Sequence, residues 1–194
     1  MKRRTFLHHL PEAVAATGLL MDGWVWTKET GAMGGNLPPL NEPAPPFQLA
    51  GVAPSSRPTG NPENVTLSLA SFRGRWLVLY FYPKDFTSGC TLEARGFQRD
   101  LATFHQMHAE VVGVSTDSAD THGSFCGAEG LAYPLLSDPD GTVCRQYGSW
   151  LPGTALRHTF LIDPQGLIQA RWVAVRPLAH SQEVLTTLSE LQTA

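Results

Sequence analysis

Apolar and polar positions fall along this chain in blocks, and the blocks differ in period. The strongest is Trp76-Leu77-Val78-Leu79-Tyr80-Phe81-Tyr82, an apolar run with no polar break, which predicts a strand buried on both faces. After a Pro/Gly-containing loop, Ala94, Phe97, Leu101 and Phe104 return at steps of three and four, which predicts a helix with one face in the core. Val111-Val112-Gly113-Val114 reads as a second buried strand. Asp117 or Ser118 can cap a following helix that runs to about Glu129. Leu135-Leu136-Ser137 is a short strand, Asp138-Pro139-Asp140-Gly141 a turn, and a short helix then carries Cys144.

Toward the C-terminus, His158–Ile162 and Ile168–Val173 flank Asp163-Pro164-Gln165-Gly166 and predict a hairpin. The last helix has Val184, Leu185, Leu188 and Leu191 on one side. Residues 31–62 are broken by Pro and Gly and read as linker, although Phe47-Gln48-Leu49 and Val65–Leu69 each suit a short edge strand. Strands alternating with helices, then a hairpin and a helix, predict an α/β protein with a central mixed β-sheet flanked by helices. This is the element order of a thioredoxin-like fold. The division expected is an N-terminal extension over 1–44 and one folded domain over 45–194.

Composition narrows the function classes. The 194 residues leave room for one domain with a full core, and 42% of them are hydrophobic, which suits a globular body. A net charge of −3, with no basic run beyond Lys2-Arg3-Arg4, argues against nucleic acid as a partner. No stretch of roughly 20 apolar residues is present to cross a membrane. The start, Met1-Lys2-Arg3-Arg4-Thr5-Phe6-Leu7, resembles a twin-arginine export signal, but Pro11 and Glu12 interrupt the apolar stretch after it and no Ala-x-Ala site appears. A cytoplasmic protein with a weakly helical extension and an exported one are both open, with the cytoplasmic reading preferred.

Three cysteines, none in a Cys-x-x-Cys pair, are either a reactive pair with one spare or three buried small hydrophobes. The placement of Cys90 favours chemistry. It comes after Pro83-Lys84-Asp85-Phe86-Thr87-Ser88-Gly89 and sits on the first turn of the predicted helix. Unpaired N–H groups and the positive end of the helix dipole favour a thiolate there, and the thiolate is the nucleophile.

Pro83-x-x-x-Thr87-x-x-Cys90 resembles the active-site motif of the peroxiredoxins. The fuller string from Tyr80 to Glu93, with Phe72-Arg73-Gly74, Pro134–Asp138 and Arg157-x-Thr159-Phe160-x-Ile162-Asp163, is similar to their PrxQ branch, the bacterioferritin comigratory proteins. The resemblance covers about 45 to 192. It implies a thiol peroxidase that reduces hydrogen peroxide and organic hydroperoxides without cofactor or metal. Cys90 would be the peroxidatic cysteine, Thr87 would hydrogen-bond the peroxide, Pro83 would shield the pocket, and Arg157 would bring a cation to the sulfur. Glu93 also suits the helix dipole alone.

Many members of that branch carry a resolving cysteine five residues after the peroxidatic one, where this chain has Arg95. The resemblance then points to Cys126, on the next helix with 35 residues between it and Cys90, as in another pattern of the branch. A Cys90 sulfenic acid would condense with Cys126 to an intramolecular disulfide, reduced by a thioredoxin-like donor, in a monomer. Gly123 and Gly127 bracket Cys126 and would ease the local opening that a disulfide between two helices requires; Gly96 would do the same for the Cys90 helix. Alternatives are a one-cysteine peroxidase resolved by an external thiol, and a redox sensor or binding module with little turnover. Cys144 reads as structural. His122 and Cys126 have the i, i+4 spacing of a metal pair, but no second pair completes a site. Leu151 or Trp172 could line a pocket for organic peroxides.

Overall fold

The computed structural model describes residues 34–55 and 61–193. The elements are β1 (Gln48–Ala53), β2 (Glu63–Ser68), a 3-10 turn (Leu69–Phe72), β3 (Trp76–Phe81), α1 (Ser88–Gln106), β4 (Ala109–Ser115) and α2 (Ala119–Glu129). There follow β5 (Leu135–Ser137), α3 (Thr142–Gln146), β6 (Trp150–Leu151), β7 (Thr154–Ala155), β8 (His158–Ile162), β9 (Ile168–Trp172) and α4 (His180–Thr193). The main sheet has the order β2-β1-β5-β4-β3-β8-β9. Its β3–β4 and β4–β5 pairs are parallel and its other pairs antiparallel. This is the mixed sheet of a thioredoxin-like fold, with helices on both faces.

The apolar run at β3 explains the layering. Val78, Tyr80 and Tyr82 point to one face, where they meet Phe97, Leu101 and Phe104 of α1, Phe125 of α2 and Val184 and Leu188 of α4. Leu77, Leu79 and Phe81 point to the other, where Phe72, Val143, Tyr147 and Phe160 cover them. Because strand side chains alternate, a strand covered on both faces needs an apolar residue at every position. β3 is an internal strand between β4 and β8, and its C-terminal end delivers the chain to α1.

Three features depart from expectation. Residues 47–49 lead into a strand that is internal: β1 pairs with β2 on one side and with β5 on the other. The second neighbour lies far along the chain, and Gly51 admits it, since a Cβ there would sit 2.2 Å from the Leu135 carbonyl oxygen. A two-stranded hairpin of β6 and β7 fills what reads as loop, its two-residue strands too short to show a period. The packed body also reaches back beyond position 45. Asn41 N–H donates to Ile168 O at 2.7 Å, Ile168 N–H donates to Glu42 O at 3.0 Å, and the Arg171 guanidinium donates to the Pro38 carbonyl. The twin-arginine segment lies outside the described residues. Among those described, no helix is long and apolar enough to cross a membrane.

Candidate active site

α1 begins at Ser88, with Thr87 as its extended N-cap, so Cys90 is the third helical residue. No side chain caps this end, and the first-turn N–H groups stay directed at whatever occupies it. The turn into the helix is made by Phe86, a non-glycine residue at φ 58°, a backbone conformation that costs a bulky side chain free energy. Thr87 Oγ1 donates to Lys84 O at 3.0 Å. Its proton is therefore spent within the loop, and its lone pairs are left as acceptors. Pro83 is half-buried, and its carbonyl accepts from Thr154 Oγ1 at 3.2 Å, which ties the loop to the β6–β7 hairpin.

Cys90 is buried, with 1% of its surface exposed. The register of β3 against β8 pairs Phe81 with His158, so the preceding residue, Arg157, comes up beside the loop that leaves β3. Its Nη2 is 3.3 Å from Cys90 Sγ, and its Nη1 donates to Glu93 Oε2. One guanidinium thus bridges the thiol and a carboxylate. Burial works against the Arg157 charge, but Glu93 and Cys90 offset it and hold its pKa above the ordinary value. Glu93 is itself 1% exposed. Burial pushes its carboxyl up to about 7, with Arg157 opposing the rise. Among the described residues, Glu93 Oε1 has no hydrogen-bond partner although it is buried.

The four residues expected around the peroxide, Pro83, Thr87, Cys90 and Arg157, thus stand on one loop, one helix start and the residue that leads into the adjoining strand. Cys126 is elsewhere. It lies on α2, is buried and free, and belongs to the same apolar cluster as the equally free Cys90. Burial, and secondarily Asp85, pushes its thiol up to about 12. Cys144 lies across the sheet, among the residues that cover Leu77 and Phe81. Burial and Asp138 raise its pKa well above the ordinary value, and its N–H donates to Asp138 Oδ2 at 2.8 Å.

His122 has no ring nitrogen to give a metal: Nδ1 lies 2.8 Å from Asp85 Oδ2 and Nε2 lies 3.2 Å from Leu136 O. No cluster among the described residues could hold a metal ion. Trp172 meets His180 edge to face at 5.7 Å, on the α4 side. Leu151 is half-buried in the β6–β7 hairpin. Asp117 tightens the loop, since its Oδ2 accepts from Asp85 N at 2.9 Å and from Ser115 Oγ at 2.8 Å. The α2 cap is accordingly Ser118, whose hydroxyl accepts from Thr121 N.

Sequence reasoning assigns Glu93 only a helix-dipole role, and it passes over Asp85 and Phe86. The available signal is an acidic residue at a helical step of three from Cys90, which places both side chains on one face.

Known proteins resemble this chain over the same region. The model of the AhpC/TSA family matches residues 40–171. Peroxiredoxin Bcp of Xanthomonas campestris pv. campestris is 40% identical over 130 residues, covering 62% of this chain and 81% of the relative. Peroxiredoxin Bcp of Bacillus subtilis is 35% identical over 134 residues, covering 65% of this chain and 85% of the relative. Among solved structures, Xanthomonas campestris peroxiredoxin Q superposes with a TM-score of 0.64 at 33% identity, over 73% of this chain and 89% of that one.

Proposed function

The chain belongs to the AhpC/TSA family, in the Bcp/PrxQ branch of the peroxiredoxins, and as a peroxidase of that family we propose that it works through Cys90, with Cys126 as its resolving partner. The observation that carries the assignment is the 3.3 Å approach of Arg157 Nη2 to Cys90 Sγ at an uncapped helix N-terminus. A fixed cation and fixed N–H donors stabilise negative charge on sulfur, and then on the oxygen that leaves.

The first step is in-line attack of the Cys90 thiolate on one peroxide oxygen. An S–O bond forms as the O–O bond breaks, and the other oxygen departs as hydroxide or alkoxide and takes a proton. Cys90 is left as a sulfenic acid. Thr87, its own proton committed to Lys84 O, accepts from the hydroperoxide O–H and so orients it. Pro83, tied to Thr154, keeps bulk water from the sulfur. Arg157 is held in place by Glu93.

Cys126 then attacks the sulfenic sulfur, giving an intramolecular disulfide and water. A dithiol of thioredoxin type restores both thiols by exchange. That choice of reductant is supported by the 35% identical Drosophila melanogaster relative named thioredoxin-dependent peroxide reductase. Reduction of organic hydroperoxides is supported by the Xanthomonas campestris bacterioferritin comigratory protein, 32% identical with a TM-score of 0.64, whose structure was solved in connection with its alkyl peroxide reduction activity. Because both cysteines are on one chain, a monomer suffices.

The test is peroxide consumption coupled to a thioredoxin system, with non-reducing mass spectrometry after one equivalent of peroxide. Cys90→Ser should abolish turnover, and Cys126→Ser should abolish the Cys90–Cys126 link. Full activity in Cys90→Ser overturns the assignment. A Cys126→Ser variant that still turns over fully with thioredoxin makes the protein a one-cysteine peroxidase.

A further inference from the structure

Helix α2 is held to the body by few side chains. Its buried residues are His122, Phe125 and Cys126. Its small residues Gly123 and Gly127 line a cleft of about 460 Å³ that also touches Val52 and Asn64 of the β1–β2 side. A Cβ on Gly123 would meet only Val52, at 3.9 Å, and one on Gly127 would meet nothing within 4 Å. Most of what fixes the helix therefore comes through the three buried side chains.

Two of those three touch the loop that carries Cys90. His122 Nδ1 is 2.8 Å from Asp85 Oδ2, with both side chains all but fully buried. The other Asp85 oxygen accepts from the Tyr82 hydroxyl at 2.7 Å, and that hydroxyl is 3.4 Å from the same histidine nitrogen. One turn further along α2, Phe125 meets Phe86 edge to face, with ring centroids 5.1 Å apart. Asp85 and Phe86 precede Cys90 by five and four residues. The third buried side chain is Cys126 itself.

Cys90 is held in the first turn of α1 and Cys126 in α2, both buried and free, and one route to a disulfide has the first turn of α1 unwind and α2 leave the sheet. Unwinding at Cys90 moves Asp85 and Phe86, because they belong to the same short loop, and the left-handed backbone at Phe86 already strains that loop. His122 then loses Asp85 and Phe125 loses Phe86 together. What stays is His122 against the Tyr82 hydroxyl at 3.4 Å and Leu136 O at 3.2 Å, the packing of Phe125 in the apolar cluster, and the ion pair of Glu129 with Arg95 of α1 at 2.6 Å.

We propose that the Asp85–His122 hydrogen bond, seconded by the Phe86–Phe125 contact, latches the resolving helix to the peroxidatic loop. Opening at Cys90 then releases Cys126, and Asp85 and His122 are positioning residues of the resolution step. The inference rests on Cys126 being the resolving cysteine. In that step the Cys126 sulfur attacks the Cys90 sulfenic sulfur, and the S–S bond forms as the S–O bond breaks. The departing hydroxide takes the thiol proton and leaves as water. A second hydroperoxide competes for the same sulfenic acid and gives the sulfinic acid. The latch sets the outcome of that competition: a tight one leaves the sulfenic acid exposed to peroxide for longer.

The experiment is rapid quench with alkylation and non-reducing mass spectrometry on wild type, Asp85→Asn, His122→Leu, the double variant and Phe86→Ala. It yields the rate of Cys90 oxidation, the rate of disulfide closure and the peroxide concentration that gives half sulfinic acid. In His122→Leu, which removes the hydrogen bond, closure should quicken about fivefold, the gain expected when that bond no longer holds the closed form; in Asp85→Asn, whose amide oxygen still accepts from His122, it should quicken less. Oxidation of Cys90 should slow several-fold in His122→Leu, and the sulfinic threshold should rise with the closure rate. The double variant should match His122→Leu, because the two side chains act as a pair. Phe86 is 55% exposed, so its alanine variant tests the second contact without threatening the core, and it should close about threefold faster. A merely destabilised fold slows both steps; the latch moves them in opposite directions. Closure at the wild-type rate, or slower, in all these variants overturns the inference alone. A wild type that forms no Cys90–Cys126 link overturns the reading of Cys126 and the latch with it.

Discussion

Arg157 Nη2 lies 3.3 Å from the Cys90 sulfur while Nη1 of the same guanidinium donates to Glu93. The planar fork lets one cation serve two partners, the sulfur and the carboxyl, which the point charge of a lysine cannot do. A hydrogen bond to a charged group is worth about 1.5–3 kcal/mol, a factor of roughly 10–100 in rate if it is fully expressed in the transition state. Arg157→Lys should therefore lower the second-order rate of Cys90 oxidation about tenfold, and Arg157→Met about a hundredfold. Stopped-flow oxidation at limiting peroxide measures both. An Arg157→Met variant within threefold of wild type would remove the cation from the mechanism.

Glu93 gives the site a signature in the pH dependence of stability. Its folded carboxyl is pushed up to about 7 by burial, with Arg157 opposing, against 4.5 for the free side chain. Over that interval the folded chain binds the proton more tightly than the unfolded one. The contribution is fully present below about pH 4.5 and is lost as pH rises through about 7, a change on the order of 3 kcal/mol. Glu93→Gln keeps the shape and removes the titration. Urea unfolding at intervals from pH 4.5 to 8 should show wild type losing stability relative to Glu93→Gln as pH rises. A constant difference across that range would contradict the buried, titrating carboxyl.

Much of this arrangement was legible in the chain. The apolar run 76–82 marked a doubly covered strand, and the Pro83–Cys90 motif lay where that strand hands over to a helix. The less legible parts depend on pairing between distant segments. β1 became internal because β5, whose register brings Leu136 to Gly51, returns beside it, and no local period reports that. Gly96, read as a loosening residue, has a second role that the local pattern does not show: it lies where α1 approaches α4, since a Cβ there would sit 3.3 Å from Ser181 Oγ. That hydroxyl in turn donates to Asp100 Oδ2 at 2.5 Å, so the glycine serves helix packing. The meeting of Asp85 with His122 was hidden for the same reason: a polar residue in a loop and one on a helix give no sign that they meet until the sheet is assembled.

Thr87 separates substrate binding from helix stability. An N-cap threonine is ordinarily worth about 1 kcal/mol through its hydroxyl, but here that hydroxyl turns back to Lys84 O and caps nothing. Thr87→Val should therefore unfold at nearly the wild-type denaturant midpoint while its peroxide reaction falls roughly 10–100-fold. Thr87→Ser, which keeps the acceptor, should stay within about threefold of wild type. A Thr87→Val variant that keeps its rate while Thr87→Ser loses it would move the role of Thr87 from its hydroxyl to its methyl group.

Gly123 and Gly127 offer a test of the second half of the cycle that leaves the peroxide site untouched. Both positions accept a methyl group, with Val52 at 3.9 Å from one and nothing within 4 Å of the other. Alanine there adds no clash and removes the glycine penalty, about 0.5–1 kcal/mol at each position. The gain appears only while α2 is helical, so it opposes release of Cys126. Gly123→Ala with Gly127→Ala should raise stability by about 1–2 kcal/mol and slow disulfide closure by roughly 5–30-fold, with oxidation of Cys90 unchanged. The sulfenic acid then lives longer, and less peroxide should convert Cys90 to the sulfinic acid. Resolution at the wild-type rate in this double variant would mean that Cys126 reaches Cys90 without melting its helix.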